Sequence, residues 1–192
     1  RATLYKRADL VFSDLGRLRE LSRRHGRLQL VFAGKAHPRD EAGKELIRRI
    51  FGAARALGGD APVVFLPNYD MTLGRTITAG VDLWLNTPQR PLEASGTSGM
   101  KAAHTAVPSL RVLDGWWLEG HVEGVTGWSI GGYAPDASGD AADLYAKLET
   151  ILPLYHRERA RWIAVMKGAI ALNASFFNTH RMVQQYVANA YL

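Results

Sequence analysis

The feature that most limits the fold is a series of short, almost wholly apolar runs, each closed by Gly, Pro, Asn or Asp and followed by a helical pattern. Leu28-Gln29-Leu30-Val31-Phe32-Ala33 ends at Gly34, and Val63-Val64-Phe65-Leu66 is entered through Pro62 and left through Pro67-Asn68. Val81-Asp82-Leu83-Trp84-Leu85 is followed by Pro88 and Pro91, and Leu110-Arg111-Val112-Leu113 runs into Asp114-Gly115. Runs this short read as strands buried on both faces, the pattern of a parallel sheet. Helical spacing fills the gaps. Val11, Leu15, Leu18 and Leu21 precede a cap-like Gly26, and Leu46, Ile47, Ile50, Phe51, Ala54 and Leu57 lie between Asp40 and Gly58-Gly59. A shorter segment spans about 71–79. Strand–helix alternation with right-handed crossovers puts helices on both faces of the sheet.

Past the fourth strand, the Gly- and Trp-rich stretch Trp116–Tyr133 reads as irregular or as a small hairpin. Three helices are expected near Asp140–Leu152, Arg157–Ala171 and Thr179–Tyr191. The last carries an apolar stripe of Met182, Val183, Tyr186, Val187 and Ala190. The 192 residues suffice for one domain with a core, and no repeat or low-complexity tract breaks them. The chain opens on a basic motif rather than Met, so we expect a piece of a longer protein.

Composition narrows the function classes. No apolar run approaches the ~20 residues of a membrane span, and no apolar leader core follows Arg1. Cysteine is absent, which removes disulfides and thiolate metal sites and fits a cytosolic protein. None of the six His residues shows metal-ligand spacing, and no G-x-S-x-G occurs. His104, three residues after Lys101, reads as structural. The net charge of +6 favours anionic ligands, although the Arg-rich first helix also reads as a solvated face.

In such folds ligands bind beyond the carboxyl ends of the strands, and the unusual loops here all follow strands. The richest is Glu93–Lys101. Gly96 and Gly99 bracket Thr97 and Ser98 directly before a helix, where backbone N–H groups and the helix dipole suit a phosphate. Lys101 lies one turn into that helix. It could reach back over the loop or form an imine with an aldehyde cofactor; on spacing alone it could equally be an exposed lysine. Glu93 could hold sugar hydroxyls or be a surface carboxylate. Arg1 and Lys6 could bind phosphate or be a basic chain end. Tyr69 could pack on a cofactor ring or sit at the core rim. Trp116 and Trp117 could stack on sugars or simply fill space.

Together these segments resemble the glycogen and α-glucan phosphorylase family. Glu93-Ala94-Ser95-Gly96-Thr97-Ser98-Gly99-Met100-Lys101 is similar to its signature E-A-S-G-T-x-x-M-K, whose lysine binds pyridoxal phosphate as a Schiff base. Arg1 and Lys6 match R-x-x-x-Y-K, whose Arg and Lys lie at the phosphates. Phe65-Leu66-Pro67-Asn68-Tyr69 resembles F-L-x-N-Y, with the Tyr near the cofactor. Gly34-Lys35-Ala36 and Leu113-Asp114-Gly115 match further strand-end segments in order and spacing. The run Arg75–Pro88 is nearer to the short bacterial and archaeal enzymes than to the animal ones. Two departures stand out: Thr97-Ser98-Gly99-Met100-Lys101 replaces T-G-N-M-K, and Asp70 stands where the animal enzymes carry a basic residue.

The resemblance implies an α/β fold: a Rossmann-like parallel sheet with flanking helices, the C-terminal lobe of the two-lobed GT-B glycosyltransferase architecture. It implies one partial lobe over 1–192, with helices 153–192 packing toward an N-terminal lobe. The implied reaction is reversible phosphorolysis of an α-1,4-glucan by inorganic phosphate to glucose 1-phosphate, with pyridoxal phosphate as cofactor. By carry-over Lys101, Arg1 and Lys6 are catalytic. Lys101, Lys6, Tyr69, Gly96, Thr97 and Ser98 hold the cofactor, and Glu93, Ser95 and Gly96 hold substrate. The family reading gives a cytoplasmic enzyme without nucleic-acid or membrane partners, allows a homo-oligomer, and predicts little activity from the isolated lobe. The alternatives are a nucleotide-sugar glycosyltransferase of the same fold and a glucan-binding module using Trp116 and Trp117.

Overall fold

The computed structural model describes residues 2–132 and 137–191. After 3-10 turns at Leu4–Lys6 and Leu10–Phe12, the helices α1 (Leu15–His25), α2 (Glu41–Leu57) and α3 (Met71–Gly80) alternate with strands β1 (Leu30–Ala33) and β2 (Val63–Leu66). Then come β3 (Trp84–Asn86), α4 (Thr97–His104), β4 (Ser109–Val112), α5 (Trp117–Gly120) and β5 (Gly127–Ile130). The chain closes with α6 (Asp140–Arg157), α7 (Arg159–Gly168) and α8 (Thr179–Tyr186), the last two running into π-type turns at Ala169–Ala174 and Val187–Tyr191.

Asp14, Asp40 and Asp70 open α1, α2 and α3 by accepting from the backbone N–H three residues on, at 2.9, 2.8 and 2.7 Å. These bonds satisfy donors that a helix start leaves orphaned. Asp70 therefore has a structural task, whatever field it imposes on its surroundings.

All strand pairs are parallel, as the apolar runs predict, but the hydrogen bonds fall into two ladders. β1 pairs with β2, and β4 lies between β3 and β5. One core nonetheless spans them. Leu30, Phe32, Val63, Leu85, Leu110, Val112, Trp128 and Ile130 from the strands pack with Leu18 and Leu21 of α1, Leu144, Leu148 and Ile151 of α6, and Trp162 and Val165 of α7. No helix among the described residues is long and apolar enough to cross a membrane.

Four expectations are corrected. The stretch from Trp116 is neither irregular nor a hairpin, since it holds α5 and the parallel strand β5; Tyr133 lies outside the described residues. Gly127 hides this strand from a propensity reading. It stands at φ 149°, and a Cβ there would be 2.2 Å from Ser109 O, so the close backbone approach that starts the strand demands glycine. The third strand begins at Trp84 rather than Val81, because Val81 closes α3. The helix expected to stop at Leu152 runs through Pro153 to Arg157; Ile151, Leu152 and Leu154 stay buried across the proline, and that burial outweighs the missing N–H bond. Finally, Val11 belongs to a separate turn ahead of α1.

Candidate functional site

The carboxyl ends of the strands are tied together by the N-terminal segment. Ala2 N donates to Lys35 O beyond β1 at 3.0 Å, and Gln89 N beyond β3 donates to Tyr5 O at 2.7 Å. Thr87 Oγ1 donates to Lys6 O at 3.1 Å and to Arg7 O at 2.9 Å. Arg7, at φ 45°, returns its guanidinium to Thr87 O and Pro88 O, both at 2.9 Å, and pairs with the buried Asp140 of α6. Arg7 thus clamps the segment against the β3–α4 loop and α6. Sequence reading left this residue without a role.

This stitching puts Lys6 Nζ on Glu93 Oε2. Glu93 is only 7% exposed, so its charge sits in a poorly solvated place and needs the ammonium. The pair brings together two residues 87 positions apart in sequence. Glu93 is fixed from its backbone as well, because its N–H donates to Asp114 Oδ2 at 2.9 Å.

The next turns of the loop rest on β4 and the turn after it. Ser95 O accepts from Trp116 N at 3.0 Å and from Arg111 Nη2 at 3.3 Å, and Gly96 O accepts from Arg111 Nη1 at 3.2 Å. Arg111 occupies the third position of β4 and is fully buried. Burial pushes its pKa below the ordinary arginine range, against the carboxylates of Glu93 and Asp114, which raise it. Gly96 adopts the left-handed conformation at φ 86°, and a Cβ there would stand 2.1 Å from Arg111 Nη2. The glycine is required twice over, by its backbone angle and by the guanidinium beneath it.

Gly96 is also the N-cap of α4, and no side chain among the described residues caps that helix. The N–H groups of its first turn, with the positive end of the dipole, make a place for an anion. Thr97 and Ser98 lie one turn before Lys101 on the same face of α4. Ser98 Oγ accepts from Trp84 Nε1 at 3.3 Å, which fixes the hydroxyl to β3. Lys101 is exposed and, among the described residues, makes no hydrogen bond or ion pair. An exposed lysine amine without a carboxylate partner, beside an uncapped helix start, fits an aldehyde cofactor that bears a phosphate.

Other predicted residues stand apart. Arg1 lies outside the described residues. Tyr69 is 41% exposed, and its ring lies over Gly74 of α3, where a Cβ would be 2.5 Å from the phenol oxygen. Among the described residues it makes no hydrogen bond or ring contact with Lys101, Lys6 or the loop. His104 is exposed, with Nε2 3.3 Å from Phe177 O, in keeping with a structural role. Trp116 and Trp117 are 3% and 0% exposed and pack edge to face at 5.1 Å, with Trp116 also against Phe177. Buried rings cannot stack on a sugar, which removes the basis for a glucan-binding module built on this pair. The Arg-rich α1 is largely neutralised: Arg17 pairs with Glu149, Arg23 with Asp60 and Arg24 with Glu20.

Arg111 is the site residue that motif reading missed. Its signal was a single charged side chain inside an otherwise apolar strand run, a placement that needs buried partners to be tolerated.

Comparison with known proteins places the chain in a family. The family model described as Carbohydrate phosphorylase matches residues 10–123. Maltodextrin phosphorylase of Thermococcus litoralis is 46% identical over 199 aligned residues, which cover 100% of this chain and 24% of that protein. Glycogen phosphorylase of Aquifex aeolicus is 42% identical, covering 100% of this chain and 29% of its own length. Glycogen phosphorylase of Mycobacterium bovis is 38% identical, again across 100% of this chain and 24% of that protein. This chain therefore spans about a quarter of the length of these relatives, and it belongs to the carbohydrate phosphorylase family.

Proposed function

We propose that this chain is the cofactor-binding part of the C-terminal lobe of an α-1,4-glucan phosphorylase, in a longer protein that converts glucan and inorganic phosphate reversibly to glucose 1-phosphate. The observation that carries the reading is a convergence. Glu93, on the loop beyond the carboxyl end of β3, is paired with Lys6 of the N-terminal segment, the same loop runs into the uncapped start of α4, and Lys101, with no partner among the described residues, lies one turn into that helix.

In this reading Lys101 holds pyridoxal phosphate, and the amides of Gly96, Thr97 and Ser98 with the Lys6 ammonium face its phosphate. When bound, the cofactor supplies a phosphate that exchanges a proton with the substrate phosphate. The chain's own residues do the rest. Lys6 offsets the charge of two phosphates brought close together, helped by Arg1. Glu93 keeps one carboxylate oxygen on Lys6, which leaves Oε1 for a sugar hydroxyl, with Ser95 beside it. Tyr69 would have to leave its place over Gly74 to cover a cofactor ring.

The same reading assigns the lobe to the GT-B architecture and the protein to the cytoplasm, and leaves room for a homo-oligomer. It assigns the exposed Met182, Val183, Tyr186, Val187 and Tyr191 to packing on the N-terminal lobe. Because half of the cleft would come from that lobe, little activity is expected from these residues alone.

The test uses the complete polypeptide. Pyridoxal phosphate should give a visible absorbance band that is absent in Lys101→Ala, and maltooligosaccharide plus phosphate should yield glucose 1-phosphate. A complete polypeptide that takes up no pyridoxal phosphate, or that transfers glucose from a sugar nucleotide without it, would overturn the reading.

A further inference from the structure

Strand β4 is buried along its whole length, and nothing in a parallel ladder calls for a charge there. Arg111 is nonetheless fully buried at its third position. A buried guanidinium is tolerated only when its N–H groups find acceptors. Here the acceptors are two consecutive carbonyls of the functional loop, Ser95 O at 3.3 Å and Gly96 O at 3.2 Å. Among the described residues the buried Nε has no partner, so the side chain is committed to those two bonds rather than to the strand around it.

The geometry of the peptide unit makes this consequential. In a planar trans peptide the C=O and the following N–H point in opposite directions. Drawing Ser95 O inward turns the Gly96 N–H outward, and drawing Gly96 O inward turns the Thr97 N–H outward. Both amides belong to the uncapped start of α4. Gly96 is pressed against the guanidinium so closely that no side chain fits between them. Ser95 O has a second donor in Trp116 N, and Gly96 O a second in Gly99 N at 3.2 Å. Of these donors, only Arg111 grips both carbonyls at once.

We propose that Arg111 is a positioning residue. Without touching a ligand, its guanidinium aims the Gly96 and Thr97 amides at the phosphate of an aldehyde cofactor. The proposal rests on the reading of this loop as the seat of pyridoxal phosphate.

The complete polypeptide would be titrated with pyridoxal 5′-phosphate and with pyridoxal, which has the aldehyde but no phosphate, following the visible band of the lysine adduct. The readout is the ratio of the two dissociation constants. In Arg111→Met, which preserves volume but grips neither carbonyl, the preference for the phosphorylated aldehyde should fall about tenfold, the worth of roughly one hydrogen bond to an anion. Arg111→Lys, which reaches one carbonyl, should lose less, about threefold. A residue that merely held the fold would weaken both aldehydes together and leave the ratio unchanged, and that result overturns the proposal. Should Arg111→Met fail to fold, the ratio in Arg111→Lys decides alone, by the same criterion. A wild-type polypeptide that takes up neither aldehyde sinks the functional reading itself. A wild type that prefers the phosphate, with variants that keep that preference, sinks only the role of Arg111.

Discussion

Replacing Gly115 by alanine tests how tightly the loop is seated on the turn after β4. Gly115 has φ 57°, and its missing Cβ would lie 2.3 Å from Ser95 O, 2.9 Å from Ser95 C and 3.0 Å from Glu93 O. Every one of these atoms is backbone, so no side chain can swing aside. Either the loop lifts or the turn is pushed down. The left-handed backbone costs a non-glycine residue about 1–2 kcal/mol, and overpacking a closed contact adds about 1–3 kcal/mol. The expected loss is about 2–5 kcal/mol. Gly124 supplies the control, since it has φ 69° and nothing within 4 Å of an added Cβ. Gly124→Ala should show the backbone term alone, about 1–2 kcal/mol. Urea unfolding of the chain followed by tryptophan fluorescence would measure both, because Trp116, Trp117, Trp128 and Trp162 are all buried and report on the core. The difference between the variants is the contact. If Gly115→Ala costs no more than Gly124→Ala, the loop is not pinned on this turn.

Two further outcomes follow from the same geometry. Asp70→Ala removes the cap of α3 and should cost about 1 kcal/mol of stability; an unchanged urea midpoint would show that Asp70 is kept for something other than the cap. Tyr145 is buried, with its hydroxyl 2.8 Å from Val11 O and 3.0 Å from Asp14 O and accepting from Asp14 N at 2.9 Å. Burial raises its pKa above the usual 10.0. The folded state therefore holds this proton more tightly than the unfolded one. The resulting stability is complete below the unfolded value and is lost as pH rises through the folded one. Alkaline unfolding above about pH 10 should be steeper in wild type than in Tyr145→Phe, and matching slopes would show that Tyr145 is not the group responsible.

Much of the fold was legible because periodicity and punctuation agreed. The runs at β1, β2 and β4 carried enough apolar side chains to be strands of a parallel ladder, although only β4 is buried along its whole length and β1 and β2 are half-buried, and helical spacing between Asp40 and Gly58 announced α2. The losses came where tertiary contact overrode local preference. Gly127 weakens a strand by propensity, yet only glycine can approach Ser109 so closely. Pro153 should end a helix, yet the leucines on both sides of it stay in the core. Trp116 packs on Phe177, about sixty positions further along the chain, and Trp117 packs on Trp116, a burial that no local window contains.

The site was legible in a different sense. The resemblance of Glu93–Lys101 to a family signature singled out the loop and its lysine as candidates, whereas spacing alone left Lys101 equally an exposed lysine at a helix start. What the motif could not name is what holds the turn in shape. Lys6 and Glu93 were each legible as charges, but the reason they belong together is the stitching of Tyr5, Lys6 and Arg7 onto residues 87–89, which only the folded chain reveals. Arg111 is the sharper case. Alone in an apolar run it looks like an error of patterning, and charged residues are rarely buried so completely unless paired. Its acceptors are main-chain oxygens 15 and 16 residues away, so no side-chain pattern could have pointed to them. A local rule is broken in β4, and what makes the break tolerable is the pair of carbonyls that the loop before α4 offers to the buried guanidinium.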